Sequence, residues 1–493
     1  MSGTNITNPE IQDIHALGEG ESLPAHPVDK YFISPCNHAC PVGENIEAWM
    51  MHAQAGAYFE AFQVLMQDCP FPAIMGRICA RPCEKNCNRR DVDSAVNIHA
   101  VERFIGDEAI RNNWQPDFNP LPGGKKVLVV GAGPSGMSAA YHLTLLGHCV
   151  DMVDAGSLPG GLLRSGIPTY HLPKDILEAE IGRLVKMGIN FRQNYTVQDI
   201  EAEKINGGYD AVYLSTGAQT IKQENFNYDD SVYLTDAFSF FREARLNDGV
   251  FIQKKVVIYG GGKLALYIAR MIRRFESDAT VFFEGDKKSM PAHDYETDNA
   301  LAEGVNIQLL HCVRRIEKKE VTLEVMKSEN ERVVGTGAYI TVPADIFINA
   351  NQQQADTAYL STIQNIDLQE DGTVITDDQQ MTGVAGIFAG GDMLSGVVRS
   401  AAVAVGQGKK AARYINSYLR QEPYVKDEKY TLADYQKLRI VNHKVAFQQS
   451  AHTISAAEAV RNFDEVNAGL TENQTRLEAN RCLKCASCLE GRA

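Results

Sequence analysis

The chain has 493 residues, of which 44% are apolar, and a formal net charge of −14. This length predicts about two to four domains, and the acidic balance argues against nucleic acid as a main partner because phosphate binding requires a basic surface. No apolar run reaches the roughly 18 residues of a membrane span, and the first thirty residues lack the basic start and apolar core of a signal peptide. We therefore expect a cytoplasmic protein without a membrane span.

Most of the eleven cysteines lie near the two ends of the chain. Six fall between Cys36 and Cys87, and three more lie within residues 482–488. In a reducing cytoplasm, such clusters are more often metal or iron–sulfur ligands than disulfides. The two remaining cysteines, Cys149 and Cys312, fall in or near strand patterns, and we expect them in the core.

In chain order, residues 1–30 are predicted to form an arm. Apolar residues at helical spacing then predict helices over 44–55 and 58–66, among the first cysteines. A loop rich in proline and glycine, residues 115–124, marks a domain boundary.

The first glycine-rich turn follows a predicted strand over residues 126–130 and opens a predicted helix over 137–146. Its predicted cofactor-binding residues are Gly131, Gly133, Pro134, Ser135 and Gly136. The first glycine makes a tight turn, the second lets the backbone approach a pyrophosphate, and the third lets the helix pack on the strand. Asp154 ends the next strand, where a carboxylate accepts a hydrogen bond from a ribose hydroxyl. The unit therefore predicts a dinucleotide site.

A second unit of the same kind begins with a predicted strand over residues 255–259. Its predicted binding residues are Gly260, Gly262, Lys263, Ala265 and Glu284. An acid at the position of Glu284 favours a free ribose 2′-hydroxyl and repels a 2′-phosphate, which predicts NAD rather than NADP. A Rossmann unit that has lost its nucleotide remains the alternative.

The chain resembles the family of the bacterial glutamate synthase small subunit and the flavin half of dihydropyrimidine dehydrogenase over residues 31–425. The motifs that carry the resemblance include Cys40-Pro41, GRICARPCEKNC over residues 76–87, GGLLRSGIP over 160–168 and GIFAGGD over 386–392. The resemblance implies an α/β fold with an N-terminal all-α iron–sulfur domain and two Rossmann-type units. It also implies FAD in the first unit, a nicotinamide in the second and two [4Fe–4S] clusters in the helical domain.

In this family the nicotinamide unit is inserted in the FAD unit. The implied domains are an arm (1–30), a helical [4Fe–4S] domain (31–118), the two halves of the FAD domain (119–245 and 384–425), an NAD(P)-binding domain between them (246–383) and a tail (426–493). The residues that the resemblance assigns to FAD are Gly161, Leu162, Arg164, Pro168, Thr216, Gly217, Gly391 and Asp392.

The chain departs from the family pattern in its nicotinamide unit. Lys263 stands where the family usually has Asn or Asp, and Tyr267 where it has Asp. The arginine pair that reads the NADP phosphate is replaced by Phe283, Glu284 and Gly285. The family's Ala-Ile-Gly-Gln-like motif reads ANQQ over residues 350–353. These departures argue against NADP and leave open whether a nicotinamide binds productively.

The family's upstream cysteine pair is missing before Cys36, and a similar segment, EANRCLKC, occurs at residues 478–485. We therefore hypothesise that the tail supplies it, in this subunit or across an interface. Cluster one would use Cys36, Cys87, Cys482 and Cys485. Cluster two would use Cys40, Cys79, Cys83 and a non-cysteine ligand that matches Glu102.

Several alternatives stay open for the cysteine sites. Glu102 could be a surface helix acid, Cys69 is interpreted as a non-ligand, and Cys488 could be a further ligand or spare. If residues 79–87 form one helix, the spacing of their three cysteines places them along one face. Zinc is the alternative to iron–sulfur clusters for Cys-x2-Cys spacing.

The sequence thus predicts an iron–sulfur flavoprotein oxidoreductase. It would exchange electrons between NAD(H) and the clusters, with no catalytic side chain of its own, and feed or drain a partner subunit or ferredoxin in a hetero-oligomer. The alternatives are a relay subunit with a degenerate nicotinamide site and an NADPH-dependent glutamate synthase small subunit.

Overall fold

A computed structural model describes most of the chain outside its two ends. The described residues are 32–117, 124–222, 224, 226–229, 231–246, 251–330, 332–360, 363–424, 431–433 and 444–486. The predicted arm over residues 1–30 and Cys488 therefore lie outside the described residues.

The N-terminal unit is helical, as predicted. Its elements are β1 (Phe32–Ile33), α1 (Pro35–Ala39), α2 (Ile46–Gln54), α3 (Tyr58–Met66), α4 (Pro72–Ile78), α5 (Pro82–Lys85) and α6 (Ile98–Arg111), with a 3-10 turn at Asn88–Asp91. Proline opens three of these helices, α1, α4 and α5, where its missing N–H costs no hydrogen bond. Glycines let α4 and α6 cross closely, because a Cβ on Gly76 would lie 2.4 Å from the Arg103 backbone.

The first α/β unit is built on a parallel sheet. In chain order it contains β2 (Lys126–Val130), α7 (Pro134–Leu145), β3 (Cys149–Val153), α8 (Leu162–Ser165), α9 (Lys174–Lys186), β4 (Asn190–Arg192), α10 (Ile200–Gly207) and β5 (Ala211–Leu214). The later strand β17 (Ile387–Ala389) joins β5 at the sheet edge, which gives the order β17-β5-β2-β3-β4. Helix α14 (Ala401–Arg420) then packs on α7.

The second α/β unit lies between β5 and β17 in the chain. Its elements are β6 (Thr220–Ile221), β7 (Asn227–Tyr228), β8 (Tyr233–Asp236), α11 (Ala237–Leu246), β9 (Lys255–Tyr259), α12 (Lys263–Arg274), β10 (Asp278–Phe283), α13 (Asp294–Ala302), β11 (Asn306–Leu309), β12 (His311–Glu317), β13 (Glu320–Glu329), β14 (Arg332–Pro343), β15 (Ile346–Asn349) and β16 (Gln353–Gln354). A parallel sheet has the order β11-β10-β9-β15-β8, and a smaller one has the order β14-β13-β12-β7.

The insertion starts and ends at a different place from the predicted range 246–383. Strand β8 and helix α11 belong to the second unit, because β8 pairs with β15. Leu360 and Val374 instead pack in the core of the first unit with Leu128. The segments that lead into and out of the second unit are adjacent, because β6 pairs antiparallel with β16.

The C-terminal tail lies against the helical unit. It contains β18 (Thr431–Leu432), which pairs with β1, followed by α15 (Ala456–Ala459) and α16 (Glu472–Ala479). Glu465 forms ion pairs of 2.9 Å with both Arg77 and Arg103, and α16 packs on α2 and α6. Within the described ranges, no helix combines the length and apolarity that a membrane crossing requires.

Candidate functional site

The first glycine turn has the geometry of a dinucleotide site. Gly131 has φ +102°, and a Cβ there would lie 2.5 Å from the Ser215 carbonyl oxygen. A Cβ on Gly136 would lie 2.0 Å from the Gly131 carbonyl oxygen, so only glycine lets α7 start this close to β2. Gly133 instead faces open space, because a Cβ at this position would meet no described atom within 4 Å. The open side of the turn is where a pyrophosphate would approach the N-terminus of α7.

One cavity of about 820 Å³ runs along both nucleotide units and reaches the helical unit. Eleven of the residues predicted to bind cofactors line it: Gly133, Pro134, Ser135, Gly161, Leu162, Thr216, Gly217, Gly262, Lys263, Gly391 and Asp392. Its size and its mixed apolar and polar lining suit a cofactor site. The structure therefore brings together the first glycine turn, the GGLLRSGIP loop and the GIFAGGD strand end, which are far apart in sequence.

Outside the glycine turn, three predicted FAD residues are absent from the lining of this cavity: Asp154, Arg164 and Pro168. The Asp154 carboxylate accepts hydrogen bonds from the backbone N–H groups of Ala132 and Gly156, each at 2.7 Å. Arg164 donates through Nε to the Pro159 carbonyl oxygen at 2.6 Å and pairs with Glu178. The third residue, Pro168, is buried. In this structure Asp154 and Arg164 fix the loops around the cavity.

Among the described residues that line the cavity, Asp392 is the one acidic side chain. Burial raises the pKa of this carboxyl to about 6, and the positive charge of Arg399 opposes the shift. The preceding residue, Gly391, donates its backbone N–H to Gln407 Oε1 at 2.6 Å, which fixes the strand end. The buried Asp392 carboxyl therefore faces the cavity, where it could form a hydrogen bond with a bound cofactor.

We expect the Asp392→Asn variant to raise the thermal unfolding midpoint of the flavin-free protein at pH 8. The pKa of the Asp392 carboxyl is raised in the folded state, so ionising this group is harder in the folded protein than in the unfolded chain. The carboxyl therefore lowers the free energy of unfolding progressively as the pH rises from the usual Asp pKa to about 6. The gain of a few degrees should therefore shrink as the pH falls to 5. The exposed Asp298→Asn variant serves as control, and a gain that does not vary with pH would contradict the assignment.

The second glycine turn repeats this geometry at the N-terminus of α12. Gly260 has φ +146°, and a Cβ there would lie 2.6 Å from the Ala350 carbonyl oxygen, whereas Gly262 faces open space. Lys263 lines the cavity and its Nζ lies 3.3 Å from Glu296 Oε1. Ala265 is buried in the core of the unit. A nucleotide pyrophosphate would therefore meet both the helix N-terminus and the Lys263 ammonium group.

Glu284 lies exposed at the end of β10, as the ribose-binding position requires. Sequence reasoning missed its neighbour Tyr259, which is 2% exposed. The Tyr259 hydroxyl lies 3.4 Å from Glu284 Oε2 and 3.6 Å from Cys312 Sγ. The sequence did contain a signal for Tyr259, because this residue ends the predicted strand directly before the glycine turn. In the structure it is paired with Phe282 on β10. Tyr259 is therefore placed to orient the Glu284 carboxylate.

We expect the Tyr259→Phe variant to raise the KM for NADH about 2- to 10-fold with little change in kcat. The loss corresponds to one neutral hydrogen-bond donor, worth roughly 0.5–1.5 kcal/mol. The effect should vanish in a Glu284→Ala background, since Tyr259 would then have no carboxylate to orient. Tyr228→Phe, which alters an exposed tyrosine, is the matched control, and equal effects in both backgrounds would refute this role.

The four residues predicted for cluster one line a single small cavity: Cys36, Cys87, Cys482 and Cys485. Burial raises the pKa of the Cys36 thiol well above its usual value, and the nearby Cys482, Cys87 and Cys485 raise it further. Four thiols this close, with none in a disulfide, suit a positively charged cluster that needs thiolate ligands. The two tail cysteines reach this place within the same chain.

A buried arginine anchors the tail beside cluster one. Arg481 is 2% exposed and donates to the Ala95 carbonyl oxygen at 2.9 Å and to Asp93 Oδ1 at 2.8 Å. Glu478, which is fully buried, accepts the backbone N–H of Asn97 at 2.7 Å. These bonds hold the EANRCLKC segment next to the helical unit, so its cysteines are fixed by interactions outside the cluster itself.

The four residues predicted for cluster two line a second cavity: Cys40, Cys79, Cys83 and Glu102. Glu102 is 5% exposed, so its interpretation as a surface acid is wrong. Its Oε1 is buried and has no hydrogen-bond partner among the described residues. An orphaned buried carboxylate oxygen beside three thiols fits a ligand to a metal cluster.

Residues 79–87 do not form one helix, so the condition under which Cys79, Cys83 and Cys87 would share a helix face is not met. Helix α4 ends before Cys79, and Arg81 has φ +60°, which breaks the helix before α5 starts at Pro82. After the break, Cys79 and Cys83 line the cavity predicted for cluster two, whereas Cys87 lines the cavity predicted for cluster one. The spacing of the cysteines alone does not show this break. The sequence signal for it is Pro82, because the residue before a proline disfavours a helical conformation.

Shared wall residues give the order of the three cavities. Ile46 and Ile98 border both cluster cavities. Cys79, Pro41, Pro82 and Ala402 border both the cavity of cluster two and the large nucleotide cavity. The cavity of cluster two therefore lies between the nucleotide cavity and the cavity of cluster one.

The remaining cysteines differ in burial. Cys69 is fully buried, and Cys312 is half-buried near Tyr259. Cys149 is exposed, so its expected place in the core is wrong. It is the first residue of β3, where the alternation of the strand turns its side chain outward.

Comparison with known proteins places these features in a family context. A family model described as pyridine nucleotide-disulphide oxidoreductase matches residues 125–408. Another, described as dihydropyrimidine dehydrogenase domain II with a 4Fe–4S cluster, matches residues 32–114.

Two curated proteins and one solved structure illustrate the similarity. The chain is 31% identical to the NADP(+)-dependent formate dehydrogenase subunit beta of Moorella thermoacetica, over 92% of this chain and 71% of that protein. It is 31% identical to the glutamate synthase [NADPH] small chain of Escherichia coli, over 78% of this chain and 88% of that protein. FprA of Mycobacterium tuberculosis shares the fold, with a TM-score of 0.51 and 16% identity over 61% of this chain and 85% of FprA.

Proposed function

Because the chain belongs to the pyridine nucleotide-disulphide oxidoreductase family and carries a 4Fe–4S domain of the dihydropyrimidine dehydrogenase type, we propose that it is the nicotinamide-reactive subunit of a redox complex. In this proposal, electrons pass between NAD(H) and two [4Fe–4S] clusters by way of FAD. The clusters then feed, or drain, a catalytic partner subunit or a ferredoxin in a hetero-oligomer.

The arrangement of the three cavities is the observation that carries this proposal. Cys79 borders both the nucleotide cavity and the cavity of cluster two, so one ligand side chain would lie between flavin and cluster. Ile46 and Ile98 form a wall that the two cluster cavities share.

The chain's own residues have binding and insulating roles in this proposal. FAD, when bound, would take up a hydride and release its electrons singly, which is chemistry that side chains lack. Gly133 and Gly262 leave space for the two pyrophosphates, and Lys263 adds a positive charge to the second. The apolar side chains of Leu162 and Tyr267 line the cavity between the two turns and would exclude water there.

Glu284 supports NAD(H) as the nicotinamide. Its carboxylate is exposed at the end of β10, where it would accept a hydrogen bond from a 2′-hydroxyl and repel a 2′-phosphate. Both curated relatives above carry NADP(+) or NADPH in their names, which makes NADPH the competing choice. The first lysine after Glu284 in the chain, Lys287, lies 3.0 Å from Asp294 and is therefore partly neutralised.

An anaerobic spectrum of the purified protein tests the proposed function. NADH should bleach the flavin absorbance within the dead time of mixing, while an equal concentration of NADPH should bleach it much more slowly. Bleaching by NADPH alone would overturn the nucleotide choice. A flavin that neither nucleotide bleaches would show that the chain is a relay with a degenerate nicotinamide site.

A further inference from the structure

Beside cluster two lies a buried group that the ligand assignment leaves unused. Cys69 follows α3 and is fully buried, and its backbone N–H donates to the Leu65 carbonyl oxygen at 2.8 Å. Its Sγ, a carboxylate oxygen of Glu44 and one of Glu102 all lie within 4.8 Å of one another. This group of one thiol and two carboxylates adjoins the cavity of cluster two, which Glu44 and Glu102 line.

The buried oxygen of Glu102 that has no hydrogen-bond partner among the described residues suits a bound cation. Glu102 and Glu44 are 5% and 4% exposed, so both carboxyls are removed from water. Glu102 Oε1 has no hydrogen-bond partner in the part of the chain that the structure describes. Two acids that share a buried place with a thiol are stabilised by a cation that they ligate, and the iron of cluster two would lie at this place.

We propose that the fourth ligand position of cluster two can be filled by either of two residues, Glu102 through oxygen or Cys69 through sulfur. The inference rests on the proposed function, because it presumes the cluster. Each iron of a [4Fe–4S] cluster takes one ligand from the protein, so either of two neighbouring side chains could fill that position in turn. The Cys69 sulfur and a Glu102 oxygen lie within 4.8 Å of each other, so a side-chain adjustment would bring either of them to the same iron.

The exchange is balanced within the group. With the cluster bound, the bond from iron to the Glu102 oxygen would break, and a bond from iron to the Cys69 sulfur would form. The thiol proton would pass to the Glu44 carboxylate, one oxygen of which lies within 4.8 Å of Cys69 Sγ. The iron keeps its oxidation state, so no oxidant or reductant is required. Because hydrogen bonds and ligand type set cluster potential, the two ligation states differ in potential and in their electron paramagnetic resonance (EPR) spectrum.

The test compares four variants of the full chain by iron content and EPR. They are Glu102→Ala, Cys69→Ala, the double variant and Cys149→Ala, which removes an exposed cysteine as a control. Both single variants and the control should retain about eight iron atoms per chain, since one of the two ligands remains. Glu102→Ala should shift the EPR signal of cluster two. The double variant should lose iron and give the signal of a three-iron cluster, with flavin content unchanged as evidence of folding.

The outcomes separate this inference from the proposed function. Loss of cluster two in Glu102→Ala alone, with the wild type intact, would overturn the exchange and leave the electron path standing. Retention of about eight iron atoms in the double variant would also overturn it, because neither residue would then be a ligand. A wild-type protein without iron would overturn both.

Discussion

Replacing Cys482 and Cys485 with serine is expected to lower the iron content from about eight to about four atoms per chain. The two residues supply half of the ligands in the cavity of cluster one, together with Cys36 and Cys87. A [4Fe–4S] cluster uses four protein ligands, so a cluster held by only two thiolates is expected to lose its iron to the solvent. Flavin content and the signal of cluster two should stay, since Cys40, Cys79 and Cys83 line a separate cavity.

The matched control is the double variant Cys149→Ser and Cys312→Ser, which removes two cysteines outside both cluster cavities. It should retain its iron. The tail should remain in place in the test variant, because Arg481 and Glu478 anchor it independently of the cysteines. Undiminished iron in Cys482→Ser/Cys485→Ser would show that the tail is not a ligand donor.

Replacing Glu284 with arginine is expected to reverse the choice of nicotinamide. Loss of a hydrogen bond between the carboxylate and the ribose, worth roughly 1.5–3 kcal/mol, should lower kcat/KM for NADH about 10- to 100-fold. The same change removes the repulsion of a 2′-phosphate and adds a guanidinium group that binds it, so kcat/KM for NADPH should rise. Initial rates with an artificial electron acceptor measure both.

The control for this change is Glu320→Arg, which makes the same charge change at an exposed residue of β13. It should leave both rate constants unchanged and so separate a local effect from the change in net charge. A Glu284→Arg variant that keeps its preference for NADH would place the ribose elsewhere in the unit.

Motifs with a local physical cause were predictable from the sequence. The two glycine turns needed no tertiary information, because positive φ at Gly131 and Gly260 and the close approach at Gly136 follow from the turn itself. The two predicted ligand sets line two separate cavities, while their role as ligands stays a prediction. The division into two sets came from the family resemblance and the displaced EANRCLKC segment rather than from spacing.

Features that depend on distant contacts were not predictable. The limits of the inserted unit are set by the pairing of β6 with β16, two strands of two residues each that carry no sequence pattern. Asp154 has the expected position, yet its carboxylate oxygens are taken by the N–H groups of Ala132 and Gly156. Such local hydrogen bonds compete with a ligand and become visible only when the loop path is known.

The burial of Glu102 is a further case. Its sequence surroundings on α6 resemble those of a surface acid, and the packing of other helices around α6, chiefly α4, α3 and α16, buries that helix. The proximity of Cys69 to Glu102 likewise depends on how the segment after α3 returns toward α6. Residues that are 33 positions apart cannot be paired from spacing alone.

EPR spectroscopy of the protein, frozen anaerobically after addition of NADH, tests the electron path at its decisive step. We expect signals from both reduced clusters in the wild type and from cluster two alone in Cys482→Ser/Cys485→Ser, because cluster two lies next to the nucleotide cavity. A flavin that NADH bleaches while neither cluster becomes reduced would contradict the path from nucleotide to clusters.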